Sequence, residues 1–287
     1  MPYAKTSGGV RLYYEEAGAG KPIVFVHEFS GDLRSWEAQI QHFSRRYRCI
    51  AFNARGYPPS DVPPRLSSYS HQMAAEDIGE VMRHLKIRKA HIIGCSMGAQ
   101  STLHFGLTHP EMAITLTTVG AGSGSSGRTR AEFLRNVETN ARRFEKEGLA
   151  AALDRVRVAP NRVQLAQKNP RAWEDFCKRF MEHSAQGCAN IQRAVQAKRP
   201  ALTTLGRQFA ALTVPTHLIA GDEDPGAIEP GLFIKRTCPA ARLTIAAATG
   251  HLVNAEEPEL FNRLTEDFYA LVESGHWRPQ DFAASRT

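Results

Sequence analysis

The sequence predicts an α/β fold: a mostly parallel sheet covered by helices on both faces, with a helical cap inserted between two of its strands. Three observations carry this. Short apolar runs bounded by turn signals alternate with longer segments of helical period, the signature of βαβ units. The runs are apolar without a break, as strands buried on both faces must be. The alternation stops near residue 120 and resumes at 216.

Taken in order, Tyr3 to Glu16 alternates as a hairpin would, turning at Ser7-Gly8-Gly9. Pro22 to Phe29 reads as the first continuous buried strand. A helix is expected at about 35–46, and a strand at Cys49 to Asn53. A proline-rich loop, 57–64, then delays the chain. Residues 70–85 read as a helix with Met73, Ile78, Val81, Met82 and Leu85 near one stripe. Ala90 to Gly94 is a strand, 97–108 a helix and 114–119 a strand. From 128 to about 200 the pattern is helical throughout, punctuated by Pro160, Pro170 and Pro200. Strands at Thr216 to Ala220 and Arg242 to Ala246 and a helix at 257–273 close the chain. The division expected is a core of 1–127 and 206–275, a cap of 128–205 and a tail of 276–287, loosely docked or disordered.

Composition sets further bounds. The 287 residues are 42% hydrophobic and 23% charged, enough to bury one large core. No apolar run approaches the roughly 18 residues of a membrane span, and the N-terminal residues lack the apolar core of a signal peptide. The five cysteines are odd in number and lack metal-type spacing, which suits reduced, buried thiols in a cytoplasmic protein. Formal net charge is +7, with a pI near 9.3. Seventeen of the Lys/Arg but only eight of the Asp/Glu lie between 125 and 210, so the excess sits on the cap. It is either a solvated helical surface or a field that draws anionic substrates to a site beneath. No helix-turn-helix, zinc or aromatic RNA-binding motif accompanies it, so no nucleic-acid partner is expected.

The chemistry begins at Gly94-Cys95-Ser96-Met97-Gly98, between a strand and a helix. A serine in so tight a turn is lifted off the sheet, and bulky residues two positions either side would clash. The helix that follows aims free N–H groups at developing negative charge. Cys95 reads as a buried spacer. Serine needs a base. Of 11 histidines, His251 alone occupies a loop after a late strand and before a helix; the others fall on helices, inside strands or in the tail. The base needs an orienting acid, and Asp222, Glu223 and Asp224 compete in the loop after the strand 216–220.

These segments resemble the α/β-hydrolase family over nearly the whole chain. His27-Glu28-Phe29-Ser30-Gly31 stands at the family's His-Gly loop. Asn53 to Ser60 resembles its Asp-x-Arg-Gly-x-Gly-x-Ser segment, and Gly250 to Pro258 its Gly-His-x-x-x-x-Glu-x-Pro ending. The family's Gly-x-x-Asp pattern selects Asp224, giving Ser96, Asp224 and His251 as the catalytic residues. The resemblance also implies an oxyanion hole from the N–H groups of Phe29 and Met97, with no metal or organic cofactor. Glu28 departs from the family's glycine. It either points away and pairs with a nearby arginine or sets a carboxylate beside the site. Asn53 and Pro58 also depart, in a segment read as structural, with Arg55 a packing and hydrogen-bonding residue.

Trp173, Phe176 and Phe180 recur at i, i+3 and i+7 and so share a helix face. They either pack the cap's own core or line a pocket for an apolar or aromatic group. The expected activity is hydrolysis of a small-molecule carboxylic ester or lactone. The alternatives are carbon–carbon cleavage of diketone ring-fission products (or a perhydrolase-like side activity) and a ligand receptor on the same fold. No membrane partner is expected, and homo-oligomerisation stays open.

Overall fold

The computed structural model describes residues 2–127 and 129–281. Eight strands form one sheet: β1 (Tyr3–Lys5), β2 (Arg11–Ala17), β3 (Lys21–Val26), β4 (Tyr47–Phe52), β5 (Ala90–Cys95), β6 (Ala113–Val119), β7 (Thr216–Gly221) and β8 (Ala241–Ala246). Their spatial order is β1-β2-β4-β3-β5-β6-β7-β8. β1 and β2 pair antiparallel, β2 meets β4 antiparallel, and every other neighbour is parallel.

Residue alternation along the strands splits the core in two. Val24 and Val26 of β3, Ile50 and Phe52 of β4 and Ile92 of β5 face one side. There they meet α2 (His71–His84), α3 (Met97–Thr108) and α10 (Pro225–Thr237). Ile23 and Phe25, Cys49 and Ala51, and Ile93 and Cys95 face the other side, against α1 (Glu37–Phe43) and α12 (Pro258–Glu273). Helices on both faces are why these strands show no polar alternation. Ser70 caps α2 by accepting the Met73 N–H, and Ile78, Val81 and Met82 are buried. Met73, expected on that stripe, lies in the exposed first turn.

Between β6 and β7 the chain forms α4 (Arg130–Lys146), α5 (Gly148–Arg157), α6 (Val163–Lys168), α7 (Pro170–Phe180) and α8 (Ala185–Ile191), which runs into a π-turn at Gln192–Gln196. Phe144, Leu153, Leu165, Phe176 and Phe180 make their apolar side continuous with the α1/α12 face of the core. Two short helices complete the set, α9 (Gly206–Ala211) and α11 (Val253–Glu256). No helix among the described residues is long and apolar enough to cross a membrane.

One expected boundary needs correction. β3 ends at Val26, three residues before the apolar run does, because its pairing with β4 and β5 stops there, at Phe52 and Gly94. The beginning of the tail is docked: Trp277 packs edge-on against Phe268 with Arg242 over its ring, and Gln280 N–H donates to the Pro239 carbonyl. Residues 282–287 of the expected tail lie outside the described residues.

Burial fixes the charge states of several side chains. Arg55 forms a two-armed ion pair with Asp77, at 2.6 and 2.7 Å, and donates to the Ser68 carbonyl. Removing one partner strands a buried charge, so Asp77→Ala is expected to cost about 3–5 kcal/mol in a urea melt. A loss below about 1 kcal/mol would contradict that. Burial also pushes His91, His104, His183 and His217 each down to about 4. Unfolded, these rings take up protons near pH 6.5; folded, they resist until near pH 4. The unfolded state therefore binds more protons in that window, and stability falls as pH drops through it. The melting temperature should decline steadily from pH 6.5 to 4, and a flat profile would refute this account.

Candidate active site

The strand order places the site. From β3 the chain moves to one side, to β4, while the next strand in sequence, β5, lies on β3's other side. The loops leaving β3 and β5 diverge, and a crevice opens at their carboxyl ends. Ser96 sits there, immediately after β5, at φ 52° and ψ −108°. That strained conformation needs empty space on both sides. A Cβ on Gly94 would lie 2.3 Å from the Gly98 carbonyl oxygen, and one on Gly98 would lie 2.2 Å from that of Val26. The Ser96 N–H donates to the Val119 carbonyl at 2.7 Å, anchoring the turn to β6.

His251 and Asp224 come from the ends of β8 and β7. His251 Nε2 lies 2.8 Å from Ser96 Oγ, and Nδ1 lies 2.5 Å from Asp224 Oδ2. An ionised carboxylate only accepts, so Nδ1 carries the proton and Nε2 is left to accept from the serine hydroxyl. The imidazole must cross the end of β6 to reach Ser96, and Gly120 makes the crossing possible. Its φ is +64°, and a Cβ there would sit 3.0 Å from the ring's Nδ1 and Cε1.

The other two acids of the β7 loop hold the surroundings. Asp222 accepts the Thr249 N–H at 3.0 Å; its carboxyl is lowered, chiefly by that bond. Glu223 accepts from Gln164 of α6. Glu256 accepts the N–H groups of Gly250 and Leu252, at 2.5 and 2.9 Å, and so grips the chain on either side of His251. Burial raises its carboxyl, against the pull of those two N–H groups. From above, the Asn161 carbonyl accepts the His251 backbone N–H at 3.1 Å.

The loop after β3 is braced as closely. His27 Nε2 accepts the Ala54 N–H at 3.0 Å, which leaves Nδ1 to donate to the Glu28 carbonyl at 2.7 Å. Burial lowers the His27 pKa and favours this neutral form. Tyr57 donates its hydroxyl to the Phe29 carbonyl at 2.7 Å. Phe29 and Ser96 border the same cavity, and Met97 opens α3, so its N–H has no carbonyl within the helix to pair with. Cys95 is fully buried, and burial raises its thiol pKa, which keeps it an uncharged spacer.

The cavity over Ser96 measures about 300 Å³, roofed by α4, α5, α7 and the α8 π-turn. Of the aromatic trio on α7, only Phe180 borders it. Phe176 borders a separate cavity of about 290 Å³, and Trp173 stacks on Phe176 at 5.3 Å without lining either. Glu28 belongs to that second cavity, which does not reach Ser96. Its Oε1 accepts from Ser35 at 3.0 Å, and among the described residues its Oε2 has no hydrogen-bond partner and no arginine pairs with it, so neither alternative read from the sequence holds. Its carboxylate fits because Gly31, without a side chain, lies against it. Sequence reasoning missed Asn161, Arg162 and Arg199. All three border the Ser96 cavity from the insertion, where no motif marks them.

A strained serine between strand and helix, hydrogen-bonded through histidine to aspartate at the carboxyl edge of a parallel sheet, defines a class of α/β enzymes with a serine nucleophile. The chain belongs to the alpha/beta hydrolase fold family, whose model matches residues 21–258. It is 26% identical over 252 residues to 3-oxoadipate enol-lactonase 1 of Acinetobacter baylyi, covering 88% of this chain and 89% of that one. It is 25% identical over 300 residues to the 2-hydroxy-6-oxononadienedioate/2-hydroxy-6-oxononatrienedioate hydrolase of Paraburkholderia xenovorans, covering 92% of each. Among solved structures, a thermophilic esterase from Thermogutta terrifontis superposes with a TM-score of 0.82 at 23% identity, over 94% of this chain and 98% of that one.

Proposed function

We propose that this protein hydrolyses a small carboxylic ester or lactone through an acyl-enzyme on Ser96. The observation that carries the reading is the unbroken hydrogen-bonded line from Ser96 Oγ through His251 to Asp224, opening into a cavity of about 300 Å³. The enol-lactonase and esterase among its relatives support it.

His251 Nε2 takes the Ser96 proton as Oγ attacks the acyl carbonyl. The oxyanion is held by the N–H groups of Phe29 and Met97, on a loop and a helix start already fixed before substrate arrives. When the tetrahedral intermediate collapses, the imidazolium returns its proton to the departing alkoxide; in a lactone that alcohol stays tethered to the acyl chain. Water then gives a proton to His251 and attacks the acyl carbonyl, releasing the acid and restoring the Ser96 hydroxyl. Asp224 keeps the imidazole in the working tautomer throughout. No metal or organic cofactor enters this scheme. The five free, buried cysteines support a cytoplasmic setting.

The test is a p-nitrophenyl ester series, acetate to decanoate, with wild type and Ser96→Ala. A cavity at the small end of the roughly 300–1,000 Å³ range for ligand sites should favour short acyl chains. The second reading, carbon–carbon hydrolysis, draws on the oxononadienedioate hydrolase among the relatives. Turnover of vinylogous diketones without turnover of simple esters would establish it instead.

A further inference from the structure

The Ser96 cavity is bordered by three arginines, Arg155, Arg162 and Arg199, and by no carboxylate. Two of the three are buried: Arg199 is 3% exposed and Arg162 9%. Each spends one nitrogen on the core. Arg199 Nη2 donates to the Ser123 carbonyl at 2.8 Å and Arg162 Nη2 to Ser30 Oγ at 2.9 Å, so both heads are fixed at the cavity floor. Each also keeps a buried nitrogen with no partner, Nε of Arg199 and Nη1 of Arg162.

Among the described residues, neither guanidinium has a carboxylate within ion-pair distance. Other arginines in the same molecule do. Arg55, similarly buried, is clasped by Asp77, and Arg193, on the same insertion, sits between Glu138 and Glu145. The charged and titratable groups acting on Arg199 are Arg130, His71 and His104, none of which supplies negative charge, whereas Arg162 feels the Glu256 carboxylate from beyond ion-pair distance. Burial pushes the Arg199 guanidinium down to about 9, which still leaves it a cation at neutral pH. A cation buried as fully as Arg199 without a counter-charge is held at a large cost in lost hydration. The cavity is therefore built to receive that counter-charge from outside.

We propose that the substrate carries a carboxylate remote from the scissile carbonyl, received by Arg199 and Arg162, so that the physiological ester or lactone is an anion of the kind a dicarboxylic half-ester represents. The inference rests on acyl transfer at Ser96 as the chemistry. Guanidinium matches a carboxylate with two parallel N–H donors, and such bonds shorten and strengthen where water is excluded. The carboxylate end fixes the acyl chain, and the carbonyl end falls to Ser96.

The test compares the mono-p-nitrophenyl ester of glutaric acid with p-nitrophenyl pentanoate, which has the same chain length and no charge. The expected result is a wild-type preference for the half-ester. Arg199→Gln and Arg162→Gln should each lower kcat/KM for the half-ester about ten- to a hundred-fold more than for the pentanoate, chiefly through KM. Arg171→Gln, which removes the same charge from an exposed position on α7, should leave the ratio as it was. Independently, glutarate should bind folded Ser96→Ala by calorimetry, and adding Arg199→Gln should weaken that binding ten-fold or more. If pentanoate is hydrolysed and the ratio is the same in every variant, the anion site is overturned and acyl transfer stands. If neither ester is hydrolysed yet glutarate binds in an arginine-dependent way, the anion site stands and the ester reading falls. If glutarate does not bind either, both fall. Should Arg199→Gln fail to fold by circular dichroism, Arg162→Gln and Arg199→Lys carry the same comparison.

Discussion

Ser96→Ala is expected to lower kcat for the best p-nitrophenyl ester by about 10⁶-fold, the scale on which removal of a serine nucleophile is felt. The size follows from the geometry. Ser96 Oγ is a hydroxyl oxygen within hydrogen-bond reach of His251 Nε2, and neighbouring Cys95 is buried, its thiol held protonated by that burial. The fold should not suffer. The Ser96 backbone is tied through its N–H to Val119, and the side-chain oxygen is hydrogen-bonded to the imidazole. Melting temperature and far-UV spectrum should therefore match wild type while turnover disappears. Residual activity within a hundred-fold of wild type, from a preparation free of contaminating esterase, would remove Ser96 from the mechanism.

Asp224→Asn should cost about 10⁴-fold in kcat with little change in KM. The substitution keeps shape and removes only the obligatory acceptor. An asparagine can present its NH₂ to Nδ1, and the imidazole then moves its proton to Nε2, where it faces the serine with a donor in place of a lone pair. The same change at Asp222 offers the discriminating control. Asp222 accepts a backbone N–H from Thr249 and has no contact with the imidazole, so Asp222→Asn should lose far less. Equal losses at the two positions would mean that the β7 loop acts as a structural unit and that Asp224 has no special part. Steady-state kinetics of both variants at pH 7 to 9, alongside their melting temperatures, separates the two.

Much of this arrangement is legible in the chain because the pieces that position Ser96, Asp224 and His251 are local. Gly94 and Gly98 are demanded within five residues of each other, and each acid or base follows a strand whose apolar run announces it. What the sequence hides is long-range. Helix α10 escaped notice because Pro225, Gly226, Pro230 and Gly231 punctuate it, although its prolines are compatible with its position against β7 and β8. Gly120 looks like one residue of a glycine–serine run; its necessity comes from an imidazole 131 positions later that must pass over it. The period of three and four that aligned Trp173, Phe176 and Phe180 is right for a shared helix face. It does not say which of two cavities that face meets, and the helix is turned so that only Phe180 reaches the one over Ser96. Arg199 was hidden among many surface cations, since composition cannot distinguish an arginine facing water from one whose counter-charge is missing.

The bond from the His251 backbone N–H to the Asn161 carbonyl also bears on how separable the parts of this molecule are. Asn161 belongs to the insertion, and His251 to the core. The stretch of chain that borders the cavity is thus also a fastening for the loop that carries His251, and Arg162, the next residue, fastens it again to Ser30. The insertion is not an interchangeable module seated on a finished catalyst. A core grafted with another protein's insertion would keep the grip of Glu256 on either side of His251 but lose the bond to the His251 N–H itself, unless the graft also brought a carbonyl to that one point.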